Sequence, residues 1–217
     1  LMPDSIRSSL FGGSSQPASG GSASACAMSP TNTAACDFSS VVLASTEDVW
    51  AVELPAGRVP GGRPMAYANP TLVIFSGSVN TGGCGSATSD VGPFYCPADQ
   101  RLYIDPGFYQ VMETQLRAPG DFAQAYVIAH EIGHHIQRLI AIPRSVPGET
   151  DNQVSVRVEL QADCLAGVWG NKAQSQLQIN QEDLAGTLCA FAVAVLDGLA
   201  RLDVDLRRDE IDAYVHT

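Results

Sequence analysis

The longest regular alternation of apolar and polar positions runs from Asp121 to Ile142, D-F-A-Q-A-Y-V-I-A-H-E-I-G-H-H-I-Q-R-L-I-A-I. Ile128, Ile132 and Leu139 recur at helical spacing and form a core stripe, and Val127 and Ala129 make further faces apolar. The pattern predicts a buried helix. Pro119-Gly120 breaks what precedes it, Asp121 is the expected N-cap, and Gln124 completes a capping-box pattern. Pro143 lacks an N–H and is expected to end the helix. Upstream, Val41, Val42, Ala44, Val49 and Trp50 predict a helix over Phe38–Leu54, followed by a proline- and glycine-rich loop to Pro70. Thr71–Ser76 is a short β-branched run that reads as a buried strand. Residues 77–92 are glycine-rich and irregular, with room for a short edge strand. Phe94–Cys96 and Arg101–Ile104 alternate as strands around a Pro97-Ala-Asp turn. Asp105-Pro106 signals a helix start, with the helix reaching about Arg117. Pro143–Asp151 reads as a loop, Asn152–Asn171 as a strong helix, and Asn180 or Gln181 as the start of another. This order gives an α+β domain. Residues 1–25 are rich in Ser, Gly, Ala and Pro and read as a flexible linker, which leaves 26–217 as the domain.

Composition narrows the picture. With 217 residues, 45% of them hydrophobic, the chain is long enough for one domain with a substantial core. The net charge of -11 argues against nucleic acid as a partner, since phosphate binding needs a basic surface. The even count of 6 cysteines predicts disulfides and hence an oxidising, extracytoplasmic compartment. Pairing nearest neighbours gives Cys26–Cys36, Cys84–Cys96 and Cys164–Cys189, one of roughly 15 connectivities that six cysteines allow. No apolar run reaches the roughly 18 residues of a membrane span; Leu184–Leu196 is shorter and reads as a core helix. Leu1-Met2 opens the chain without a basic leader, so membrane attachment is expected only through an N-terminal anchor missing from this sequence.

The chemistry is concentrated in the first pattern described. Of the 4 histidines, three lie between positions 130 and 135, and His130, Glu131 and His134 form H-E-x-x-H. Two histidines at i, i+4 leave one helix face with Cβ atoms about 5–6 Å apart. Both imidazoles can then reach one Zn²⁺ at about 2.0–2.1 Å. Glu131 lies about 100° around the helix from His130. It borders the metal without binding it, where a general base for zinc-activated water belongs. His135 points about 140° away from His130 and reads as a packed core histidine. The competing explanation is a chance match on an amphipathic helix, against which stand the helix signals at both ends.

A catalytic zinc usually has three protein ligands and a water. The metzincin extension H-E-x-x-H-x-x-G-x-x-H is excluded, because Gln137 and Ile140 occupy the required positions. The helix over 152–171 offers Glu159 and Asp163, whose i, i+4 spacing puts both carboxylates on one face. One can bind the metal while the other accepts the Nδ1–H of a ligand histidine and fixes its tautomer. A solvated acidic face would explain the pair equally well, but Leu160, Ala162, Leu165, Ala166, Val168 and Trp169 make this helix largely apolar.

Three stretches together resemble the bacterial family of neutral zinc metallopeptidases. One is His130-Glu-Ile-Gly-His-His with the preceding Gly120-Asp-Phe-Ala-Gln-Ala-Tyr-Val-Ile-Ala. Another is Cys84-Gly-Ser-Ala followed by Gly92-Pro-Phe-Tyr-Cys-Pro-Ala-Asp-Gln and Tyr103-Ile-Asp. The third is Ser155-Val-Arg-Val-Glu-Leu-Gln-Ala-Asp-Cys-Leu-Ala-Gly-Val-Trp. The resemblance covers roughly residues 38–184. It implies a zincin-like domain with a small sheet, an active-site helix and a following ligand helix, in an exported or membrane-anchored protein. It implies one Zn²⁺ per chain held by His130, His134 and Glu159, with Glu131 as base and Asp163 orienting a ligand histidine, His130. The C-terminus departs from the family, whose members continue past a Ser-Phe-Thr-His-Gly segment that Ala213-Tyr-Val-His-Thr217 matches only loosely. The expected activity is endopeptidase cleavage of a peptide or protein substrate. Tyr95, Tyr214 and His216 are candidates for an additional oxyanion donor. The rival readings are a catalytically inactive zincin-like exported binding module with a structural zinc, and a metal-free exported scaffold.

Overall fold

The structure, a computed structural model, describes residues 25–59, 62–114, 120–143 and 147–177. Its described part is α+β, with four helices and two small sheets. The predicted linker, apart from its last residue, lies outside the described residues, as do the helix expected from Asn180 and the Leu184–Leu196 segment.

Helix α1 spans Pro30–Glu53, eight residues longer at its start than the apolar spacing indicated. Ser29 caps it, accepting from Asn32 N–H at 3.0 Å, and Pro30 occupies the first turn, where a missing N–H costs nothing. The Cys26–Cys36 disulfide fastens the preceding segment to this added stretch. Strands β1 (Thr71–Ile74), β4 (Phe94–Cys96) and β5 (Arg101–Ile104) form a sheet in the order β1-β5-β4. β5 runs parallel to β1 and antiparallel to β4, with Ile74 opposite Ile104 and Tyr95 opposite Leu102. The glycine-rich stretch between them is more ordered than expected. Strands β2 (Ser78–Asn80) and β3 (Ser86–Thr88) pair as an antiparallel hairpin. Asp105 holds its base, accepting from Gly77 N–H at 3.2 Å and from the Ser89 hydroxyl. The other oxygen of Asp105 accepts from Gly107 N–H at 2.8 Å, at the start of α2 (Gly107–Thr114).

Helix α3 spans Asp121–Leu139 and α4 spans Asp151–Leu177. The N-cap of α3 is Gly120 rather than Asp121, and Gln124 reaches Glu113 at 3.4 Å instead of turning back to the helix start. Gly120 can take φ 112°, which places Asp121 inside the first turn, where its charge suits the helix dipole. The helix also stops before Pro143. Ala141 adopts a left-handed φ of 53°. Ile142 N–H then bonds Gln137 C=O at 3.2 Å and Ala141 N–H bonds Arg138 C=O at 3.3 Å, a Schellman turn. Helix α4 opens on a reciprocal cap: Thr150 N–H donates to Gln153 Oε1 at 2.9 Å, and Gln153 N–H donates to Thr150 Oγ1 at 3.3 Å. It passes through Gly170-Asn171 because Trp169 and Ala173, on its buried face, both pack at 0% exposure.

One core joins these elements. Val42 and Trp50 of α1, its C-cap Leu54, Leu102 and Ile104 of β5, Ile128, Ile132 and Ile136 of α3, and Leu165 and Trp169 of α4 are all buried in it. Trp169 Nε1–H donates to Ser45 Oγ at 3.2 Å, tying α4 to α1. Helix α3 packs mainly on α4 and also touches β4, an edge strand of the sheet. The α3–α4 contact is close at Gly133. A Cβ there would lie 2.8 Å from the carbonyl oxygen of Ala162 and 2.9 Å from its Cα.

Candidate metal centre

That close approach sets Glu159, one turn before Asp163 on α4, over the paired histidines of α3. Glu159 Oε2 lies 3.2 Å from His130 Nε2 and 3.4 Å from His134 Nε2. One donor atom from each of the three residues falls within 4.8 Å of the others. The histidine side chains are mostly buried, whereas Glu159 is 53% exposed, so the cluster opens to solvent on its α4 side. Asp163, 5% exposed, sits behind it.

The hydrogen bonds fix which nitrogen faces inward. His130 Nδ1–H donates to Asp163 Oδ1 at 2.7 Å, since a carboxylate can only accept. The Tyr126 hydroxyl steadies Asp163, donating to its carbonyl at 3.2 Å and lying 3.4 Å from Oδ1. His134 Nδ1–H donates to Gln137 Oε1 at 2.9 Å, while Gln137 Nε2 donates to Val158 C=O at 2.5 Å. Both Nε2 lone pairs are thereby aimed at the Glu159 carboxylate. Three acceptor atoms facing one another require a cation among them. Two nitrogens and one oxygen suit zinc chemically, and donors about 2.1 Å from a tetrahedral ion lie about 3.4 Å apart, close to the two distances from Glu159 to the histidines. The residues present fit the metal.

Without metal, protons answer the same demand. Burial alone would lower the pKa of His130, but the hydrogen bonds to Asp163 and Glu159 outweigh it and raise it to about 10. His134 is raised as well, against its burial, chiefly through Glu159. Hydrogen bonds from both histidines hold the Glu159 carboxyl far below its ordinary range.

Glu131 lies beside the cluster and is not part of it. Its Oε2 accepts the backbone N–H of Tyr95 in β4 at 2.9 Å. Burial is the main influence on its pKa and raises it, opposed by the charges of His130 and His134. His135 is buried and held on both nitrogens. Nε2–H donates to Ala68 C=O at 2.6 Å, and Nδ1 lies 2.9 Å from the Tyr95 hydroxyl. Burial lowers its pKa, which keeps the ring neutral and Nδ1 an acceptor.

The Tyr95 hydroxyl is thus committed to His135, and its own pKa is pushed up to about 12 by burial. The structure places the hydroxyl of Tyr95, one of the three oxyanion candidates, on His135 and its main chain against Glu131. Tyr214 and His216 lie outside the described residues. Cys84–Cys96 is bonded, and Cys96 directly follows Tyr95. Cys164 carries a free, half-buried thiol, in place of the expected bond to Cys189, which lies outside the described residues. Gln137 was missed in the sequence as a partner of His134. Its only signal there is its position three residues on, along the same helix face.

Residues 5–212 match the model of the family described as "Putative neutral zinc metallopeptidase". The chain is 46% identical over 170 residues to the uncharacterized protein YpfJ of Escherichia coli K12, covering 75% of this chain and 57% of that one. It is 45% identical over 137 residues to the uncharacterized protein Mb2605 of Mycobacterium bovis, covering 62% of this chain and 43% of that one. The chain thus spans about half the length of the curated relatives it matches. No solved structure matches it.

Proposed function

Because the chain belongs to the neutral zinc metallopeptidase family, we propose that it is a zinc-dependent endopeptidase using His130, His134 and Glu159 as ligands and Glu131 as general base. The observation that carries this reading is the convergence of three acceptor atoms on one point, with both histidine Nδ1–H groups already committed elsewhere. When bound, zinc acidifies a water and polarises the scissile carbonyl. Asp163 and Gln137 hold the two imidazoles in the ligand tautomer. Glu131, with its raised pKa, accepts the proton of the attacking water and returns it to the leaving amine. The Cys84–Cys96 disulfide anchors the glycine-rich loop to the strand that reaches Glu131, and the substrate backbone is placed along that loop. Two disulfides favour an oxidising, extracytoplasmic setting. No helix among the described residues is long and apolar enough to cross a membrane.

Protein prepared with excess zinc should carry about one ion per chain and cleave an unfolded substrate such as casein. Glu131→Gln should keep the ion and lose turnover, because an amide preserves the shape but cannot take the proton. Occupancy below about half would reject the three-ligand site, and cleavage by Glu131→Gln at the parent rate would reject the mechanism. A fully loaded but inert parent would leave the zinc-bearing binding module in its place.

A further inference from the structure

The active-site helix carries a second i, i+4 pair, turned toward the sheet. Glu131 and His135 hold the two ends of one residue, Tyr95. Glu131 takes its main-chain N–H at 2.9 Å, and His135 takes its side-chain hydroxyl at 2.9 Å. Among the described residues, the Tyr95 N–H makes the only hydrogen bond to the Glu131 carboxylate. The orientation of that carboxylate therefore depends on where β4 stands. β4 has three residues, and only its β5 side is paired within the sheet; Tyr95 N–H points to the other side. His135 is itself immobilised. Its Nε2–H is spent on Ala68 C=O at 2.6 Å, and a carbonyl can only accept, so Nδ1 is left to accept from Tyr95. The rings of Tyr67 and Tyr95 pack edge-on against it, with centroids at 5.9 and 5.3 Å.

We infer that His135 is a positioning residue for Glu131: by gripping the Tyr95 hydroxyl it fixes β4 so that the Tyr95 N–H orients the carboxylate. This rests on the peptidase reading only for its consequence in turnover. The coupling itself is a property of the folded chain, with or without metal.

Two amide substitutions separate the arms of His135. Asparagine places a polar group where Nδ1 stands and can still accept from Tyr95. Glutamine places one where Nε2 stands, so it serves Ala68 and releases Tyr95. Tyr95→Phe removes only the hydroxyl and is the mildest of the three variants. Amide hydrogen exchange at residue 95 is read on metal-free protein, and zinc content, kcat and KM on the loaded enzyme. Tyr95→Phe and His135→Gln should speed exchange at residue 95 by about tenfold or more. They should lower kcat by about 10- to 100-fold, the scale of a misplaced catalytic group, with KM and zinc content unchanged. His135→Asn should stay near the parent in both readouts. Equal protection at residue 95 in every variant would overturn the inference, as would equal losses in His135→Asn and His135→Gln, which would mark a packing role. An inert parent that still shows this exchange pattern would overturn the peptidase reading and leave the coupling standing.

Discussion

Gly133→Ala puts one methyl group where two helices nearly touch. Its Cβ would meet Ala162 at 2.8 Å from the carbonyl oxygen, 2.9 Å from Cα and 3.2 Å from the carbonyl carbon. All three are backbone atoms, so no side chain can swing aside. An ordinary contact begins near 3.4 Å, so α3 and α4 must part by roughly 0.6 Å. Overpacking of this kind costs about 1–3 kcal/mol, and alanine returns about 1 kcal/mol of helix propensity over glycine. The net loss of stability is therefore small, on the order of 0–2 kcal/mol. The proposed metal site fares worse. His130 and His134 move with α3, Glu159 and Asp163 with α4, and ligand distances tolerate only about ±0.2 Å. Zinc affinity should fall at least about tenfold, as when an orienting partner is lost. Competition against a chelator of known affinity reads this, and thermal unfolding of the metal-free protein reads the stability. Gly77→Ala supplies the control, since its φ of 79° with open space around it strains the backbone away from the site. Zinc affinity within about twofold of the parent in Gly133→Ala would refute the claim that this contact sets the ligand geometry.

Glu159 and Asp163, the two carboxylates of α4 that meet the histidines, should separate cleanly. Glu159→Ala should lose most of the zinc, whereas Asp163→Ala and Gln137→Ala should keep a site weakened about 10–100-fold, since they only orient His130 and His134. Metal content by elemental analysis after dialysis decides this, and an empty Asp163→Ala beside a loaded Glu159→Ala would reverse the ligand assignment. Replacing Cys84 and Cys96 together by alanine opens a loop with a sequence separation of 12 and should cost about 3 kcal/mol in urea unfolding; an unchanged midpoint would show that the loop is held without the disulfide, by contacts such as that of Asp99, whose carboxylate accepts from Gly82 N–H at 2.7 Å.

What the sequence disclosed, and what it withheld, follows from how local each interaction is. The helix through His130, Glu131 and His134, the two strands 94–96 and 101–104, and the face shared by Glu159 and Asp163 are all set by spacing within one element, and each was legible. The choice between Glu159 and Asp163 was not settled by spacing, because both leave the same face. It depends on how high α4 rides over α3, which the Gly133–Ala162 contact sets. The early start of α1 at Pro30, capped by Ser29, was not read, because its first turns carry little apolar periodicity. The hairpin of 78–80 and 86–88 is stabilised by Asp105, remote in sequence. The Tyr95 amide has no side-chain signature at all, so nothing in the letters marked it as the partner of Glu131.

The six residues from His130 to His135 divide one and a half helical turns among separate neighbours. His130 and His134 face the metal cluster, Ile132 is fully buried in the core, and Gly133 lies against the backbone of α4. Glu131 and His135 face β4. A helix that carried the base and the ligands alone would leave the base to its own rotamers. In the proposed site the metal donors are completed by α4 and the base by the sheet, so the two halves of the proposed chemistry are supported from opposite sides of one helix. Loosening β4 should therefore impair proton transfer without emptying the metal site, and loosening α4 should empty the site without freeing Glu131. Under the proposed function, metal content and turnover become separable, which is why both must be measured on every variant.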